Sequence, residues 1–180
     1  GLVLHDIRYR DGDVDRTILH RAALSDMVVP YGDPSPMHFW KHAFDAGETA
    51  LGQNANSLKL GCDCLGEIQY FDATFLGADG TPYTCENAIC LHEEDFGILW
   101  KHANVFRPDI KPEVRRSRRL VISMIHTIGN YEYGFYWYFY LDGNIELEVK
   151  LTGIVGVSVT GANTDSENSP QIAPSLSSPI

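Results

Sequence analysis

The stretch FYWYFYLDGNIELEV, at residues 135–149, decides the fold class of this protein. Its first half is aromatic, its middle contains the turn signal DGN at 142–144, and apolar and charged residues alternate from 145 to 149. Aromatic and β-branched residues are favoured in strands, and alternation gives a strand one buried and one solvated face. The stretch therefore predicts a β-hairpin whose strands occupy 135–141 and 145–149.

Short strands also account for the rest of the pattern. The residues from 28 to 36 are rich in Pro and Gly and predict a rigid loop, 37–46 can form one or two helical turns, and 161–180, with five Ser and three Pro, predicts a loosely ordered tail. There is no internal repeat and no βαβ alternation, so we expect an all-β protein built as an antiparallel β-sandwich. The other predicted strands lie at 1–9, 17–23 and 120–127. Short apolar runs punctuated by Gly lie at 58–63 and 66–74, with turn signals at 11–12 and 78–82.

Composition and charge exclude several classes of function. The chain has 180 residues, 44% of them hydrophobic, and a net charge of −10. That apolar content is enough for a core, so global disorder is excluded. An acidic chain is not attracted to phosphate backbones or anionic lipid, and no apolar run reaches the ~18 residues of a membrane span, so we expect neither a nucleic-acid nor a membrane partner. Small cations are the partners that this charge favours.

The charged clusters and histidines do not by themselves indicate a metal site. His38 and His42 are four residues apart but lack the glutamate of an H-E-x-x-H motif, so we interpret them as a solvated pair. The acidic run that follows His92, at 93–95, is interpreted as a surface patch rather than a hard-cation site. Four arginines between 115 and 119 are interpreted as a salt-bridged or solvated patch rather than a nucleic-acid footprint.

The four cysteines, Cys62, Cys64, Cys85 and Cys90, are too few for a disulfide-stapled miniprotein and do not fix the compartment. Cys62 and Cys64 are one residue apart, too close to bond easily to each other. Any disulfide therefore joins this loop to Cys85 or to Cys90.

The most unusual feature is the hexapeptide GNYEYG at 129–134, directly before the aromatic run. Aromatic runs in strands usually fill a core or form cross-strand pairs. A second interpretation is a non-catalytic β-sandwich module whose exposed rings stack on a ligand such as a carbohydrate. These two interpretations explain the aromatic content but not the particular order Asn-Tyr-Glu-Tyr.

The centre of the hexapeptide, Asn130-Tyr131-Glu132-Tyr133, resembles the cofactor motif of the copper amine oxidases, in which the first tyrosine becomes topaquinone. The hexapeptide is one of six collinear blocks, spanning nearly all of 1–160, that carry the resemblance. It implies that 1–180 is part of the family's large catalytic β-sandwich domain, with 161–180 a Ser/Pro-rich loop ending before the expected His-x-His pair. The other five blocks are VVPYGDP at 28–34, FDAGE at 44–48, GCDCLG at 61–66, ICLHEED at 89–95 and YWYFYLDG at 136–143.

The resemblance assigns roles to four residues. Tyr131 is the topaquinone precursor, whose quinone forms a Schiff base with the substrate. Asp45 is the general base that accepts a proton from the α-carbon of the substrate; its apolar neighbours disfavour the charged form and should raise its pKa. Tyr31 hydrogen-bonds the quinone oxygen, and Asn130 helps to orient the ring. Ala43 stands where many members carry an aromatic gate, which implies wider access.

The resemblance also implies partners and a second cofactor. The implied enzyme is a homodimer that converts a primary amine and dioxygen to aldehyde, ammonia and hydrogen peroxide. Its copper is held by three histidines beyond 180, and none of the seven histidines present matches them, so we expect this segment alone not to generate its quinone. Cys64 and Cys90 match the family's disulfide, which implies that Cys62 and Cys85 are free thiols.

Overall fold

The structure, a computed structural model, describes residues 2–24, 27–30, 32, 34, 36, 39–40, 42, 44, 51–159 and 170–178. Within these residues, ten strands and a single 3₁₀ turn, Leu51–Asn54, form the regular structure. This confirms the all-β prediction. The strands are β1 (Val3–Asp11), β2 (Val14–Ala23), β3 (Ile68–Leu76), β4 (Pro82–His102), β5 (Glu113–Ile128), β6 (Tyr131–Tyr140), β7 (Ile145–Gly153), β8 (Ser158–Val159), β9 (Gln171–Ala173) and β10 (Leu176–Ser177).

The strands form three sheets. β1 and β2 form a two-stranded sheet, β8, β10 and β9 form a three-stranded one, and the largest has the order β3-β4-β5-β6-β7. The pairings of β1 with β2, β3 with β4, β4 with β5, and β10 with both β8 and β9 are antiparallel. Consecutive strands therefore lie side by side in the large sheet, as expected for hairpins with short connections.

The chain packs into two compact units. Unit 1 comprises Gly1–Asn54, His126–Tyr133 and Leu151–Ile180, and unit 2 comprises Ala55–Ile125 and Gly134–Lys150. Of the four residues to which the resemblance assigns catalytic roles, the two that the structure describes, Asn130 and Tyr131, belong to unit 1. The two cysteines of the implied disulfide belong to unit 2.

The structure has the predicted turn between the first two strands, but it differs from the prediction for the C-terminal segment. β1 ends at Asp11 and β2 begins at Val14, so that Gly12, with a φ of 58°, lies in the predicted turn. The expectation of a loosely ordered 161–180 is wrong for its described part, 170–178. There β10 pairs with both β8 and β9, and Ser177 is fully buried. Backbone pairing orders this segment despite its few apolar residues.

In unit 2 the core lies beneath the first strands of the large sheet. Leu58, Cys64 and Cys90 are buried in one cluster, against which Ile68, Tyr70 and Ile125 pack. The loop that carries Leu58 is fixed to the sheet, because the Leu58 amide donates to the Asn87 carbonyl at 3.0 Å. The described residues contain no helix long and apolar enough to cross a membrane.

The strand β4 covers a stretch for which the sequence pattern indicated no strand, and its pairing with β5 brings the two charge runs together. Arg118 binds Glu93 at 2.7 Å, and Arg116 binds Asp95 through its Nε at 2.7 Å. Arg119 forms an ion pair with Glu94, which lies directly opposite it. The arginine run is therefore salt-bridged, as predicted, and its partners are the acidic run at 93–95. Arg116 also holds the pKa of Asp95 well below its usual range.

The aromatic run of β6 is covered by cationic side chains of the protein itself. The guanidinium of Arg119 lies 3.8 Å from the ring centroid of Tyr138 and donates to the Tyr140 hydroxyl at 2.9 Å. The Nζ of Lys150 lies 4.3 Å from the ring centroid of Tyr136. These cation–π contacts and the burial of Tyr138 confirm the structural interpretation of the run. They weigh against a ligand-stacking module, which needs free ring faces.

The buried His126 makes a pH-dependent contribution to stability. It is fully buried in unit 1 with Nδ1 at 2.5 Å from the Leu51 carbonyl oxygen, and burial lowers its pKa to about 4. Since an unfolded histidine has a pKa of about 6.5, the unfolded chain binds the extra proton first as the pH falls. We expect the free energy of unfolding to decrease by about 3 kcal/mol between pH 6.5 and 4 from this residue alone.

The variant His126→Asn tests this expectation. The Asn side-chain amide can keep the donor to the Leu51 carbonyl but cannot titrate. Urea denaturation at pH 7 and at pH 4.5 should show a smaller acid-induced loss of stability for the variant than for the wild type. Equal losses in the two proteins would show that His126 does not carry the effect.

Candidate functional site

The Tyr131 side chain is placed by the turn that precedes it. β5 ends at Ile128, and Gly129, with a φ of 59°, begins the two-residue connection to β6. Tyr131 is the first residue of β6 and is half-buried. The next side chain, Glu132, accepts a hydrogen bond from the Thr127 hydroxyl across this hairpin at 2.7 Å. The hairpin thereby holds the strand start that carries Tyr131.

The segment that follows β7 closes on the same turn. The amide of Ile154 donates to the Asn130 carbonyl at 2.7 Å, and the amide of Gly156 donates to the phenol oxygen of Tyr131 at 2.9 Å. One hydrogen bond thus fixes the backbone before Tyr131, and the other fixes the far end of its side chain. Both are short enough to be well-formed N–H···O bonds.

Two glycines make this approach possible. A Cβ atom on Gly153 would lie 2.3 Å from the Asn130 carbonyl oxygen and 2.9 Å from the Cα of Tyr131, and the φ of Gly153 is 104°. A Cβ atom on Gly156 would lie 2.7 Å from the Tyr131 phenol oxygen. The first contact is with backbone and the second with the end of a side chain. At Gly153 only a residue without a side chain allows the segment to approach this closely, whereas a side chain at Gly156 would displace the end of the Tyr131 ring.

Aromatic rings flank Tyr131 on another side. The ring of Tyr133 makes an edge contact with that of Tyr131, with centroids 6.4 Å apart, and Tyr133 is buried. Phe44 in turn makes an edge contact with Tyr133, with centroids 4.9 Å apart. Edge-to-face pairs of this kind are favourable and directional. A series of three rings therefore connects Tyr131 with the segment around residue 44.

A known family model matches the whole chain. The model, described as the enzyme domain of copper amine oxidase, covers residues 1–180. The chain belongs to the copper amine oxidase family. This confirms the resemblance that the hexapeptide and the five other blocks indicated.

Curated copper amine oxidases are similar to this chain over most of its length. It is 52% identical over 179 residues to a histamine oxidase of Arthrobacter globiformis, covering 99% of this chain and 26% of that protein. It is 58% identical over 158 residues to a primary amine oxidase of Arthrobacter sp. strain P1, covering 88% and 24%. A peroxisomal copper-containing diamine oxidase of Nicotiana tabacum is 53% identical over 181 residues, covering 100% and 23%. The chain therefore spans about a quarter of the length of these relatives.

Solved structures of the family share the fold. The crystal structure of a copper-containing benzylamine oxidase from Hansenula polymorpha superposes with a TM-score of 0.83 at 37% identity, covering 98% of this chain and 27% of that one. The Aspergillus nidulans amine oxidase gives a TM-score of 0.80 at 26% identity, covering 98% and 22%. The antiparallel all-β architecture is thus that of the copper amine oxidases.

Copper and topaquinone are the cofactors of this family. The Tyr131 phenol fits the quinone precursor, because it is half-buried and its oxygen is held by a backbone donor. For copper, the part of the chain that the structure describes contains no group of three or more His, Cys, Asp or Glu side chains that could hold a metal ion. The residues described here therefore offer the organic cofactor's precursor and no ligand set for the metal.

The structure places some of the other predicted residues and not all of them. Asn130 lies in the turn before β6, with its carbonyl bonded to Ile154 as described above. Tyr31, Ala43 and Asp45 lie outside the described residues. Their roles therefore stay predictions.

The two predicted disulfide partners lie together in the core of unit 2. Cys64 and Cys90 are buried in the same cluster, and all four cysteines are free thiols in the structure. The pKa of the Cys90 thiol is raised to about 12, mainly by burial and to a lesser extent by the neighbouring Cys64. Cys62 is exposed and Cys85 is half-buried. The bond between Cys64 and Cys90 stays a prediction, and their shared environment is compatible with it.

Sequence reasoning missed Gly153, Gly156 and Tyr133 as parts of the site. A signal was present for the glycines, because Gly-x-x-Gly at 153–156 follows directly on an alternating strand. Glycine at such a place often marks a close approach of backbone to another group. Which group it approaches depends on the pairing of β6 with its neighbours, and the pattern does not contain that information.

Proposed function

We propose that this chain is part of the catalytic domain of an enzyme that oxidises primary amines. In the overall reaction an amine, dioxygen and water give an aldehyde, ammonia and hydrogen peroxide, so that the amine carbon loses two electrons and dioxygen gains them. The relatives are named for histamine, methylamine and diamines, all of which carry a primary amino group. The acidic net charge of −10 favours the approach of such cationic substrates.

The Tyr131 environment is the observation that carries the proposal. The phenol stands at the start of β6 within the Asn-Tyr-Glu-Tyr motif, and both its ring and its oxygen are held, by Tyr133 and by Gly156. The quinone made from such a tyrosine supplies an electrophilic carbonyl that an ordinary side chain lacks. The protein must hold the ring where a small amine can reach it, and the contacts described above support this role.

A carboxylate must accept the proton from the α-carbon of the substrate, and we assign this role to Asp45. The assignment rests on the family motif at 44–48. The preceding residue, Phe44, contacts Tyr133, whose ring contacts Tyr131, and this series of rings supports the pairing of the two segments in one site. A base in this position needs to lie within about 3 Å of the proton that it accepts.

The remaining roles follow from two other blocks of the family resemblance, those at 28–34 and 129–134. Tyr31 would donate a hydrogen bond to the oxygen at the end of the Tyr131-derived ring, and Asn130 would restrict the orientation of that ring. The contact of Asn130 with Ile154 supports the second role, because it fixes the residue that precedes Tyr131. We also propose that the enzyme is a homodimer, which light scattering on the full-length protein would decide.

The test uses the full-length polypeptide that carries this segment, purified with copper under air. We expect a quinone redox stain on the protein, a mass gain on the peptide that contains Tyr131, and peroxide release that depends on a primary amine. A secondary amine of similar size is the matched control and should release no peroxide. Absence of both the stain and the peroxide would refute the proposed function.

The disulfide of Cys64 with Cys90 is proposed for the same full-length protein. The two thiols share one buried cluster, whereas Cys62 is exposed. Peptide mapping without reductant should find the Cys64–Cys90 pair. A bond of Cys64 to Cys85 would contradict the assignment.

A further inference from the structure

We propose that Gly156 is a positioning residue for Tyr131: its amide holds the phenol oxygen, and its lack of a side chain leaves the space that the ring needs in order to be converted to the quinone. This inference rests on the proposed function, since it concerns the tyrosine that becomes the cofactor.

A hydrogen bond holds the phenol oxygen of Tyr131 to the backbone at Gly156. The Gly156 amide donates to the Tyr131 phenol oxygen at 2.9 Å. The donor belongs to the backbone and cannot rotate away as a side-chain donor can. It is held in turn by its own segment, where the amide of Ile154, two residues earlier, donates to the Asn130 carbonyl at 2.7 Å. The two hydrogen bonds together fix the position of the phenol oxygen relative to the backbone of the turn that precedes Tyr131.

The phenol oxygen of Tyr131 leaves no space for a side chain at position 156. A Cβ at position 156 would lie 2.7 Å from the phenol oxygen and 3.8 Å from the Cζ atom that carries it. The first distance is shorter than real Cβ contacts allow, and the second is ordinary van der Waals contact. The conflict is therefore with the oxygen alone. A methyl group at 156 must displace the end of the ring, and the edge contact of the ring with Tyr133 opposes free adjustment.

The two glycines of the segment are expected to act differently. A side chain at Gly153 would meet the backbone of Asn130 and Tyr131, and its φ of 104° strains any other residue, so a substitution there disturbs the fold. The φ of Gly156 lies outside that left-handed range, and a side chain there meets only the movable end of Tyr131. Substitution of Gly156 should therefore move the ring while the backbone stays in place.

Ring position matters because the conversion needs oxygen to be added at defined carbons. The tyrosine and two molecules of dioxygen give the quinone and one molecule of hydrogen peroxide, so the ring gains two oxygen atoms and loses two hydrogen atoms. Displacement of a reacting group by about 1 Å can cost on the order of 10²-fold in rate. We expect a loss of that size when Gly156 carries a methyl group.

The experiment uses the full-length protein, prepared without copper and then supplied with copper under air. The conversion of Tyr131 is followed by the mass of its peptide as a function of time. Gly156→Ala should slow the conversion by on the order of 10²-fold relative to the wild type. Gly77→Ala is the matched control: Gly77 lies in the turn between β3 and β4, where a Cβ would meet the end of the Asp79 side chain at 3.0 Å. This control should convert at the wild-type rate.

A second measurement separates positioning from general damage. In the copper-free protein, Gly156→Ala should lower the melting temperature when Tyr131 is present. It should lower it much less in the Tyr131→Phe background, because the phenol oxygen is the atom in conflict. Wild-type conversion by Gly156→Ala, or an equal loss of melting temperature in the two backgrounds, would overturn the inference. If Tyr131 is not converted to the quinone in the wild type, the proposed function fails. The melting temperatures in the two backgrounds still show whether a side chain at 156 conflicts with the phenol oxygen.

Discussion

Replacing Tyr131 by Phe in the full-length protein is expected to remove the quinone and with it all amine oxidation. Phe keeps the ring and its contact with Tyr133 but lacks the oxygen at which the conversion begins. Because the cofactor supplies the whole of the chemistry, the loss should be on the order of 10⁶-fold or more, down to the uncatalysed reaction. The redox stain and amine-dependent peroxide release should both be undetectable.

Tyr133→Phe is the matched control for this prediction. It makes the same chemical change two residues away and keeps the ring that contacts both Phe44 and Tyr131. We expect this variant to keep the redox stain, with the mass gain still located on residue 131. A stain that survives in Tyr131→Phe, or one that is lost only in Tyr133→Phe, would show that the cofactor precursor has been assigned to the wrong tyrosine.

The second large effect is expected for Asp45→Asn. An amide cannot accept the proton from the α-carbon of the substrate, and loss of a general base typically costs 10²- to 10⁴-fold in rate. Formation of the quinone consumes no amine, so we expect the stain on Tyr131 to persist while the turnover of amine falls. The measurement is kcat for a primary amine per mole of quinone.

Two further variants make this prediction specific. Asp45→Glu keeps a carboxylate and should restore part of the lost rate. Asp13→Asn, at an exposed position in the β1–β2 turn, makes the same substitution outside the proposed site and should leave kcat unchanged. Turnover by Asp45→Asn within tenfold of the wild type would remove Asp45 from its proposed role.

The pattern of apolar and aromatic residues predicted where hairpins form, but it did not predict the residues at which their strands begin and end. The alternating stretch at 145–149 indeed lies in β7, but this strand continues to Gly153, and β6 begins at Tyr131 rather than at 135. Neither extension shows strong alternation in the sequence. Pairing with a neighbouring strand supplies hydrogen bonds that are independent of the side chains, so a strand can extend beyond its apolar pattern.

The pairing of the two charge runs could not be predicted from the local sequence pattern. The local pattern indicates an acidic surface patch at 93–95 and a salt-bridged or solvated patch at 115–119, and it does not pair the two. The β4–β5 register turns them into one set of cross-strand ion pairs. The register depends on the length of β4. The three apolar residues that follow Gly97 are consecutive and do not alternate with polar ones, so local periodicity did not predict the strand.

Knowledge of the site came from the motif and not from periodicity. Four consecutive residues at 130–133, together with five other blocks, indicated the family to which the chain belongs. The assignment of Tyr131 rests on the same motif and stays a prediction. Gly156 could not be identified in this way, because it lies 25 residues from Tyr131 along the chain. Its proximity to the phenol is a product of the β6–β7 hairpin and the segment that follows it.

The ion pairs between β4 and β5 constrain which substitutions this segment accepts during evolution. Loss of one member of the Glu93–Arg118 or the Asp95–Arg116 pair leaves a charge whose former counterion is gone. Substitution of both members restores an oppositely charged pair, even when the acidic and the basic residue exchange positions. In natural homologues, positions 93 and 118, and likewise 95 and 116, should therefore show correlated substitution, while each position taken singly can look variable.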